Sequence, residues 1–328
     1  MHRRRFLALS AASFASCARS RSRSLAIRVA ATPTYYMSPL FLAQELNYFS
    51  AEGLEVAIEQ ISRVVDAVPL LAAGKLDVGF YGLSGSFLNA IARGARLRIV
   101  AGRQFYTLEC SRDSAIYGSR LAFPSGFHSL SQLKGKRIAL GSIDGPSYFT
   151  LDSALAVAGL TRDDVTIVPL PENQAAVLMA QGKVDVVSSA REGAQLAIGD
   201  HIVVGPPLAS FLPNHMYGFV SFGQRFLDHE IDAGVRFLRA YLRGMRDFVA
   251  GKNPRFLDEV AAKNGLDLQR ARQVCRRNFV LDGHVDLPSI QRLLDYFVKQ
   301  KLMNISIRAQ QVVDTRFFDQ LHLPRRSS

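Results

Sequence analysis
One short stretch occurs twice, and that repetition is the strongest restriction on how this chain can fold. Ala73-Gly74-Lys75-Leu76-Asp77-Val78, preceded by Leu70 and Leu71, is echoed by Gln181-Gly182-Lys183-Val184-Asp185-Val186, preceded by Leu178 and Met179. In each, an apolar helical stretch reaches a glycine that can take the left-handed geometry of a helix end, and a short aliphatic run follows at once. Each copy reads as helix, tight stop, buried strand. After each strand the chain turns small and polar, with Tyr81-Gly82-Leu83-Ser84-Gly85-Ser86 in the first half and Ser188-Ser189-Ala190-Arg191 in the second. Open α/β sheets hold ligands at the loops leaving the carboxyl ends of their strands, so two such loops facing each other would make a cleft.

At 328 residues the chain has room for two domains of ordinary size, each with its own core. A hydrophobic content of 48% and a charged content of 21% are those of a globular rather than a disordered protein. No apolar run reaches the about 18–20 residues that span a bilayer. The first residues read as an export signal: Met1-His2-Arg3-Arg4-Arg5-Phe6-Leu7, a mildly apolar segment from Ala8 to Ala18, then Arg19-Ser20-Arg21-Ser22-Arg23-Ser24. Arg-Arg-x-Phe-Leu resembles a twin-arginine signal, with His2 and Ala8 departing from the usual residues. Phe14-Ala15-Ser16-Cys17 reads as a lipoprotein box in which Cys17 would be lipidated, and Ser16-Cys17-Ala18 reads equally as a small-x-small cleavage site; the residues leave both open.

Cys110 and Cys275 lie far apart and form no metal-type pair. A bridge between them is open in an oxidising compartment, but the expectation is two unpaired, buried thiols, since free cysteine is among the most buried residue types. The formal charge of +12 falls once Arg3, Arg4 and Arg5 leave with the leader. The remaining Lys and Arg are scattered, with no basic run and no interleaved stacking aromatics, so nucleic acid is not an expected partner and the balance reads as an attraction for anions.

Taken in order, Leu25 to Ala31 alternates like a strand, Thr32 to Tyr36 turns, and Ser38-Pro39 opens a helix with Ser as N-cap and Pro at the first helical position. A strand at Glu55 to Ile61, a helix to Ala73, the first repeat copy, a helix from Ser86 and a strand from Leu97 follow, a succession that calls for crossover helices on a sheet. Periodicity lapses between Gly102 and Ser129, as a crossover between domains requires. The alternation is then traversed again: strand near Ile138, a helix opened by Gly141 to Tyr148 and running to Ala158 with its stop at Gly159, strand Val165 to Val168, helix Glu172 to Gln181, second repeat copy, Ile202 to Val204. His215 to Ser221 reads as a strand crossing back. Helices are expected at Asp232 to Ala250, Pro254 to Lys263, Asp267 to Arg277, Leu287 to Lys301 and Ile307 to Leu321, burying their apolar faces on the first sheet.

Catalytic constellations are not found. The seven histidines show no His-x-x-x-His or His-Glu-x-x-His spacing, Gly82-Leu83-Ser84-Gly85-Ser86 lacks the glycine two places after the serine that a nucleophile elbow wants, and there is no phosphate loop. No catalytic residue, metal or cofactor is expected.

Ser38 to Ala43 leading through Phe49, Glu52, Gly53 and Leu54, Leu70 to Gly79, Leu133 to Ile138 and Ala154 to Leu160 together resemble the periplasmic solute-binding proteins of ABC importers, in the branch of nitrate-, taurine- and sulfonate-binding proteins and thiamine-pyrimidine binders. The resemblance covers about Leu25 to Ala250. It implies an α/β protein of two lobes, each a mixed, mostly parallel sheet flanked by helices, with a ligand cleft between them and a helical C-terminal region. The divisions expected are 1–24 for export signal and tether, 25–118 for the first part of lobe I, 119–213 for lobe II, and 214–328 for the return to lobe I and the C-terminal helices. It implies a monomeric periplasmic protein whose partners are a small anionic or aromatic solute and an inner-membrane ABC permease. The alternatives are a thiamine-pyrimidine precursor binder or, further off, an enzyme of the pyrimidine-synthase type, whose cysteine-rich motif is not matched here.

A binder of this kind needs donors and stacking surfaces from both lobes, so that closure follows contacts made only with ligand present. The first lobe offers Thr34, Tyr35, Tyr36 and Ser38 before one helix and Tyr81, Gly82 and Ser84 before another. Helix starts leave N–H groups and partial positive charge for an acid group. The second lobe offers Ser142, Ser147 and Tyr148 at a like position, with Ser188 and Arg191 after the repeat strand; Arg191 could clasp an anion through its fork of donors. Serines at helix starts are equally read as caps.

Overall fold
The computed structural model describes residues 24–32, 34–61, 66–140, 145–170, 172–187, 201–263, 268–303 and 306–321. These carry two five-stranded sheets. The first is built from β1 (Leu25–Ala31), β2 (Leu54–Gln60), β3 (Val78–Tyr81), β4 (Arg98–Phe105) and β10 (Met216–Phe222), in the order β2-β1-β3-β10-β4. The second is built from β5 (Ala115–Ser119), β6 (Arg137–Leu140), β7 (Thr166–Pro169), β8 (Val186–Val187) and β9 (Ile202–Pro207), in the order β7-β6-β8-β5-β9. β1 lies parallel to β2 and β3, and β6 parallel to β7 and β8. β10 runs antiparallel between β3 and β4, and β5 antiparallel between β8 and β9. The two sheets are therefore topological copies. In each, the fourth place is filled by a strand that has just crossed from the other lobe and arrives running backwards. The second sheet takes up the chain at Ala115, earlier than the 118/119 division expected from the sequence.

The repeated stretches fold alike down to individual bonds. Gly74 and Gly182 have φ of +67° and +69°. Gly74 N–H donates to Leu71 O and Lys75 N–H to Leu70 O, as Gly182 donates to Met179 O and Lys183 to Leu178 O. This paired pattern uses up carbonyls that a helix end would otherwise orphan. The aspartate that follows then ties the stop to the neighbouring strand. Asp77 Oδ2 accepts the Arg28 backbone N–H at 2.8 Å, and Asp185 Oδ2 accepts that of Arg137 at 2.8 Å. The same arginines fold their guanidinium groups over those carboxylates and donate to Gly74 O and Gly182 O. Burial works against ionisation of Asp185, yet its bonds from Arg137 hold the carboxyl below the usual range.

The helix Ile231–Val249 lays Phe237, Leu238, Tyr241, Leu242, Met245 and Phe248 against the first sheet, sharing one core with Ile27, Val29, Phe80 and Phe222. The helix Leu287–Lys299 behaves otherwise than expected. Its Ile290, Leu293, Leu294 and Phe297 join a core that also contains Leu151, Leu155 and Ile138 of the second lobe, so it packs across both lobes and not on the first sheet alone. The single helix expected from Ile307 to Leu321 is two short pieces, Ala309–Val312 and Arg316–Asp319, because Val313 between them leaves helical geometry to bridge Ile99 beside the first sheet.

The two cysteines are not the unpaired thiols that their residue type suggested. Cys110 and Cys275 form a disulfide, with Cα atoms 5.4 Å apart. Cys110 sits just after β4 in the crossing to the second lobe, and the fold brings it beside the segment that follows helix Leu268–Arg272. Their proximity belongs to the tertiary fold and left no mark on the spacing. Among the described residues no helix is long and apolar enough to cross a membrane. Cys17 and the leader lie outside the described residues.

Candidate functional site
The chain passes between the sheets at 106–114 and again at 208–215, and the two crossings are stitched together. Tyr106 N–H donates to His215 O at 2.9 Å, and Leu208 N–H to Ser114 O at 2.8 Å. A cleft of about 540 Å³, part of it open to solvent, lies against this hinge. Tyr36 and Gly82 line it from the first lobe, Pro146, Ser147 and Thr150 from the second, and Tyr106, Asp113, Ser114, Leu208 and Tyr217 from the hinge and its margins. Gly82 lies close to both other walls: a Cβ there would lie 3.0 Å from Tyr217 O and 3.5 Å from Pro146 Cγ.

Three tyrosines form the aromatic side of the cleft. Tyr106 and Tyr217 stack with ring centroids 4.4 Å apart and planes at 19°, and Tyr36 meets Tyr217 edge-on at 6.4 Å. Asn278 Nδ2 donates to Tyr217 Oη and holds that ring, and Arg103 Nη2 donates to the Tyr36 backbone carbonyl and holds its main chain. Asp113 is half-buried; burial pushes its carboxyl above the ordinary range, against the Cys275 N–H and the nearby Arg112 charge, which favour ionisation. Behind Tyr106, His215 packs against the Phe149 ring at 5.1 Å. Burial first, then the Arg292 charge, pull His215 down to about 4, with Asp286 acting weakly the other way. This imidazole is neutral at ordinary pH.

The sequence-derived candidates separate. Tyr36, Gly82 and Ser147 meet at the cleft. Tyr35, next to Tyr36, turns the other way: its Oη donates to Val274 O and its ring packs edge-on to Phe248 in the first-lobe core. Tyr81 is likewise buried, its ring folded over Gly79 and against Phe87 at 5.3 Å, and burial pushes its phenol up beside Ser221. Ser84 caps the helix Gly85–Ala92 by accepting Phe87 N–H, and pairs with Ser86 Oγ. Thr34 and Ser38 have buried hydroxyls for which the described residues provide no partner. Tyr148 lies under the Arg162 guanidinium at 4.6 Å, away from the cleft lining. Ser142, Ser188 and Arg191 lie outside the described residues. Sequence reasoning did not single out Tyr106, Asp113, Ser114, Thr150, Leu208 and Tyr217. Most sit at or beside the crossings, where the lapse of periodicity located the hinge but could not say that the hinge floors the cleft. Among the described residues no group of three or more His, Cys, Asp or Glu side chains is placed to hold a metal ion.

Two mixed sheets of matching order, joined by two crossings with a cleft between them, define a two-lobed protein of the periplasmic-binding-protein fold. The chain belongs to the NMT1/THI5-like family, whose model matches residues 34–255. Over 153 residues it is 31% identical to the 4-amino-5-hydroxymethyl-2-methylpyrimidine phosphate synthase THI13 of Saccharomyces cerevisiae, an alignment spanning 47% of this chain and 42% of the yeast protein. The chain thus matches less than half the length of that relative. Its fold is similar to that of the ligand-binding component of an ABC-type import system from Staphylococcus aureus, with a TM-score of 0.72 at 12% identity over 90% of this chain and 99% of that one. It is also similar to the alkanesulfonate-binding protein SsuA from Xanthomonas axonopodis pv. citri bound to MOPS, with a TM-score of 0.68 at 18% identity over 88% and 98% of the two chains.

Proposed function
We propose that this protein is the extracytoplasmic solute-binding component of an ABC importer and captures a small anionic or aromatic solute by closing its two lobes. The observation that carries the reading is the cleft itself, whose lining comes from both lobes and from the hinge between them. A solute touching Tyr36, Tyr217 and Ser147 at once would favour the closed arrangement by contacts the open one lacks. The structural neighbours that bind solutes for import, including an alkanesulfonate binder, support the same reading. Export through the arginine-rich leader, anchoring through Cys17, a monomeric state and delivery to an inner-membrane permease belong to it as proposals.

The second reading is capture of a thiamine-pyrimidine precursor, favoured by the likeness to a pyrimidine phosphate synthase and by the tyrosines of the cleft. Catalysis of that synthesis is the third. A thermal-shift and calorimetric screen of the purified protein against sulfonates, aromatic carboxylates, nitrate and pyrimidines separates them. A binder gives saturable 1:1 heat, a raised melting temperature and the solute recovered unchanged. Steady conversion of any of these compounds would overturn the binding reading.

A further inference from the structure
Solute capture accounts for a cleft; it does not account for a polar grip on the second lobe outside that cleft. The helix Leu287–Lys299 is bonded to the first lobe. Ser289 Oγ accepts the N–H of Met216, the first residue of β10, at 3.0 Å, and Leu302 O, just beyond the helix, accepts from Asn89 Nδ2 of the first-lobe helix Gly85–Ala92 at 3.2 Å. From its last turn Tyr296 reaches the second lobe. Its Oη donates to Asp152 Oδ2 at 2.8 Å and accepts from Arg162 Nη2 at 3.1 Å, while its ring meets Phe149 edge-on at 5.2 Å. Asp152 and Arg162 are themselves joined by two bonds, of 2.8 and 2.6 Å, so the phenol is gripped by a fixed charged pair. Asp152 belongs to the helix Pro146–Val157, whose opening turns supply Pro146, Ser147 and Thr150 to the cleft. At 3.6 residues per turn, Asp152 stands about 120–160° round that helix from all three. The cleft and the Tyr296 grip are therefore on opposing flanks. Swinging the helix toward Tyr36 and Gly82, as closure on a solute requires, draws Asp152 away from Tyr296.

We propose that Tyr296 is a positioning residue that acts on the cleft from outside it: with its hydroxyl on Asp152 it holds the helix Pro146–Val157 back in the open arrangement, and so sets how readily the two lobes close. The proposal rests on the solute-capture reading and adds to it a control on affinity that touches no solute. A protein whose closed, competent form is only fractionally populated binds its solute more weakly by that fraction, so a bond that steadies the open form tunes the affinity.

Distances between spin labels in the full chain, with no solute added, test this. Gln60 and Pro169 are exposed residues at the carboxyl ends of β2 and β7, the outermost strands of the two sheets, on the cleft side and away from the crossings. Labels are placed on Gln60→Cys and Pro169→Cys in a Cys17→Ser background, Cys110 and Cys275 being bonded to each other. The chain with Tyr296 intact is expected to show mainly the longer separation. Tyr296→Phe, which keeps a ring against Phe149, is expected to raise the ratio of shorter to longer separations about fivefold. Asp152→Ala is expected to move the ratio the same way, and carries the test if Tyr296→Phe does not fold. Asp185→Ala, which weakens the second lobe's frame without touching Tyr296, is expected to leave the ratio unchanged. An unmoved ratio in Tyr296→Phe, a shift toward the longer separation, or an equal shift in Asp185→Ala would each overturn the assignment. Because no solute enters the test, its failure is separate from that of solute capture, which the screen of compounds decides.

Discussion

The two lobes share one plan and differ in how heavily it is reinforced. Both carry the same strand order, the same left-handed glycine stop and the same arginine folded over an aspartate. In the first lobe Asp77 is 1% exposed, a second arginine, Arg225, approaches it, and the long helix Ile231–Val249 seals one face of the sheet with a run of aromatic and aliphatic side chains. In the second lobe Asp185 has Arg137 as an ion-pair partner, and among the described residues the corresponding face carries a small cluster built on Tyr117, Met179 and Val184. A doubled unit was thus kept twice as a frame, while the helix Ile231–Val249 thickened the first copy and the helix Leu287–Lys299 packed across both. On the proposed closure, the more heavily reinforced first lobe would serve as the anchor and the second as the moving part.

The comparison can be broken most severely at the disulfide, which ties the hinge to the C-terminal segment on the first-lobe side and leaves the second sheet untouched. Replacing Cys110 and Cys275 together by Ser removes a cross-link spanning a sequence separation of 165 residues. This is expected to cost about 4 kcal/mol in urea unfolding. Hydrogen exchange should accelerate first in 106–114 and in the first lobe. Faster exchange confined to the second sheet would contradict the assignment of anchor and moving part.

The hinge between the lobes gives the next effect. The His215 pKa is about 4 in the folded protein, below the ordinary value of 6.5. The unfolded chain therefore binds the proton more readily, and stability falls as pH drops from about 6.5 to about 4, by a total of about 3 kcal/mol, then levels off with respect to this group. Above about 6.5 the contribution is fully present. Stability profiles of the wild type and His215→Gln should differ in slope across that window, and parallel profiles would remove His215 from the account.

The shared arginine–aspartate device sharpens the contrast. Asp77→Ala strips a buried acceptor from a backbone N–H and from two arginines, and is expected to cost about 3 kcal/mol. Asp185→Ala, at the more exposed copy, is expected to cost about 2 kcal/mol. Equal losses, or the reverse order by chemical denaturation, would show that the two frames bear load alike. The smallest effects are at the cleft: Tyr36→Ala on one lobe and Ser147→Ala on the other should each weaken solute affinity several-fold, roughly 1 kcal/mol, with melting temperatures preserved. Unchanged affinity in both would move the pocket elsewhere.

What the sequence disclosed follows this same division. The doubled frame was legible because a glycine stop, an aliphatic strand and an aspartate are local features with local causes. The long helix Ile231–Val249 was legible within a residue at each end, because its apolar positions recur with helical spacing. The part the hinge plays at the cleft was not, since Tyr106, Asp113 and Leu208 gain their meaning only when the second crossing, ending at His215, returns beside the first. Adjacent tyrosines at 35 and 36 are indistinguishable by composition, yet the short turn at Tyr35–Met37 sends one ring into the core and leaves the other at the cleft. Tyr81 and Gly82 divide in the same way, at the last residue of β3 and the first beyond it. The bridge between Cys110 and Cys275 was hidden for a related reason, because it joins a hinge to a C-terminal segment that only the folded first lobe brings within reach.

Closure of both lobes on one trapped molecule is the claim beneath all of this, and small-angle X-ray scattering of the wild-type protein with and without a saturating solute tests it most directly. The account predicts a smaller radius of gyration in the presence of solute, and loss of that contraction when Tyr36 and Ser147 are both replaced by Ala. A solute bound tightly at one-to-one stoichiometry with the radius of gyration unmoved would contradict it.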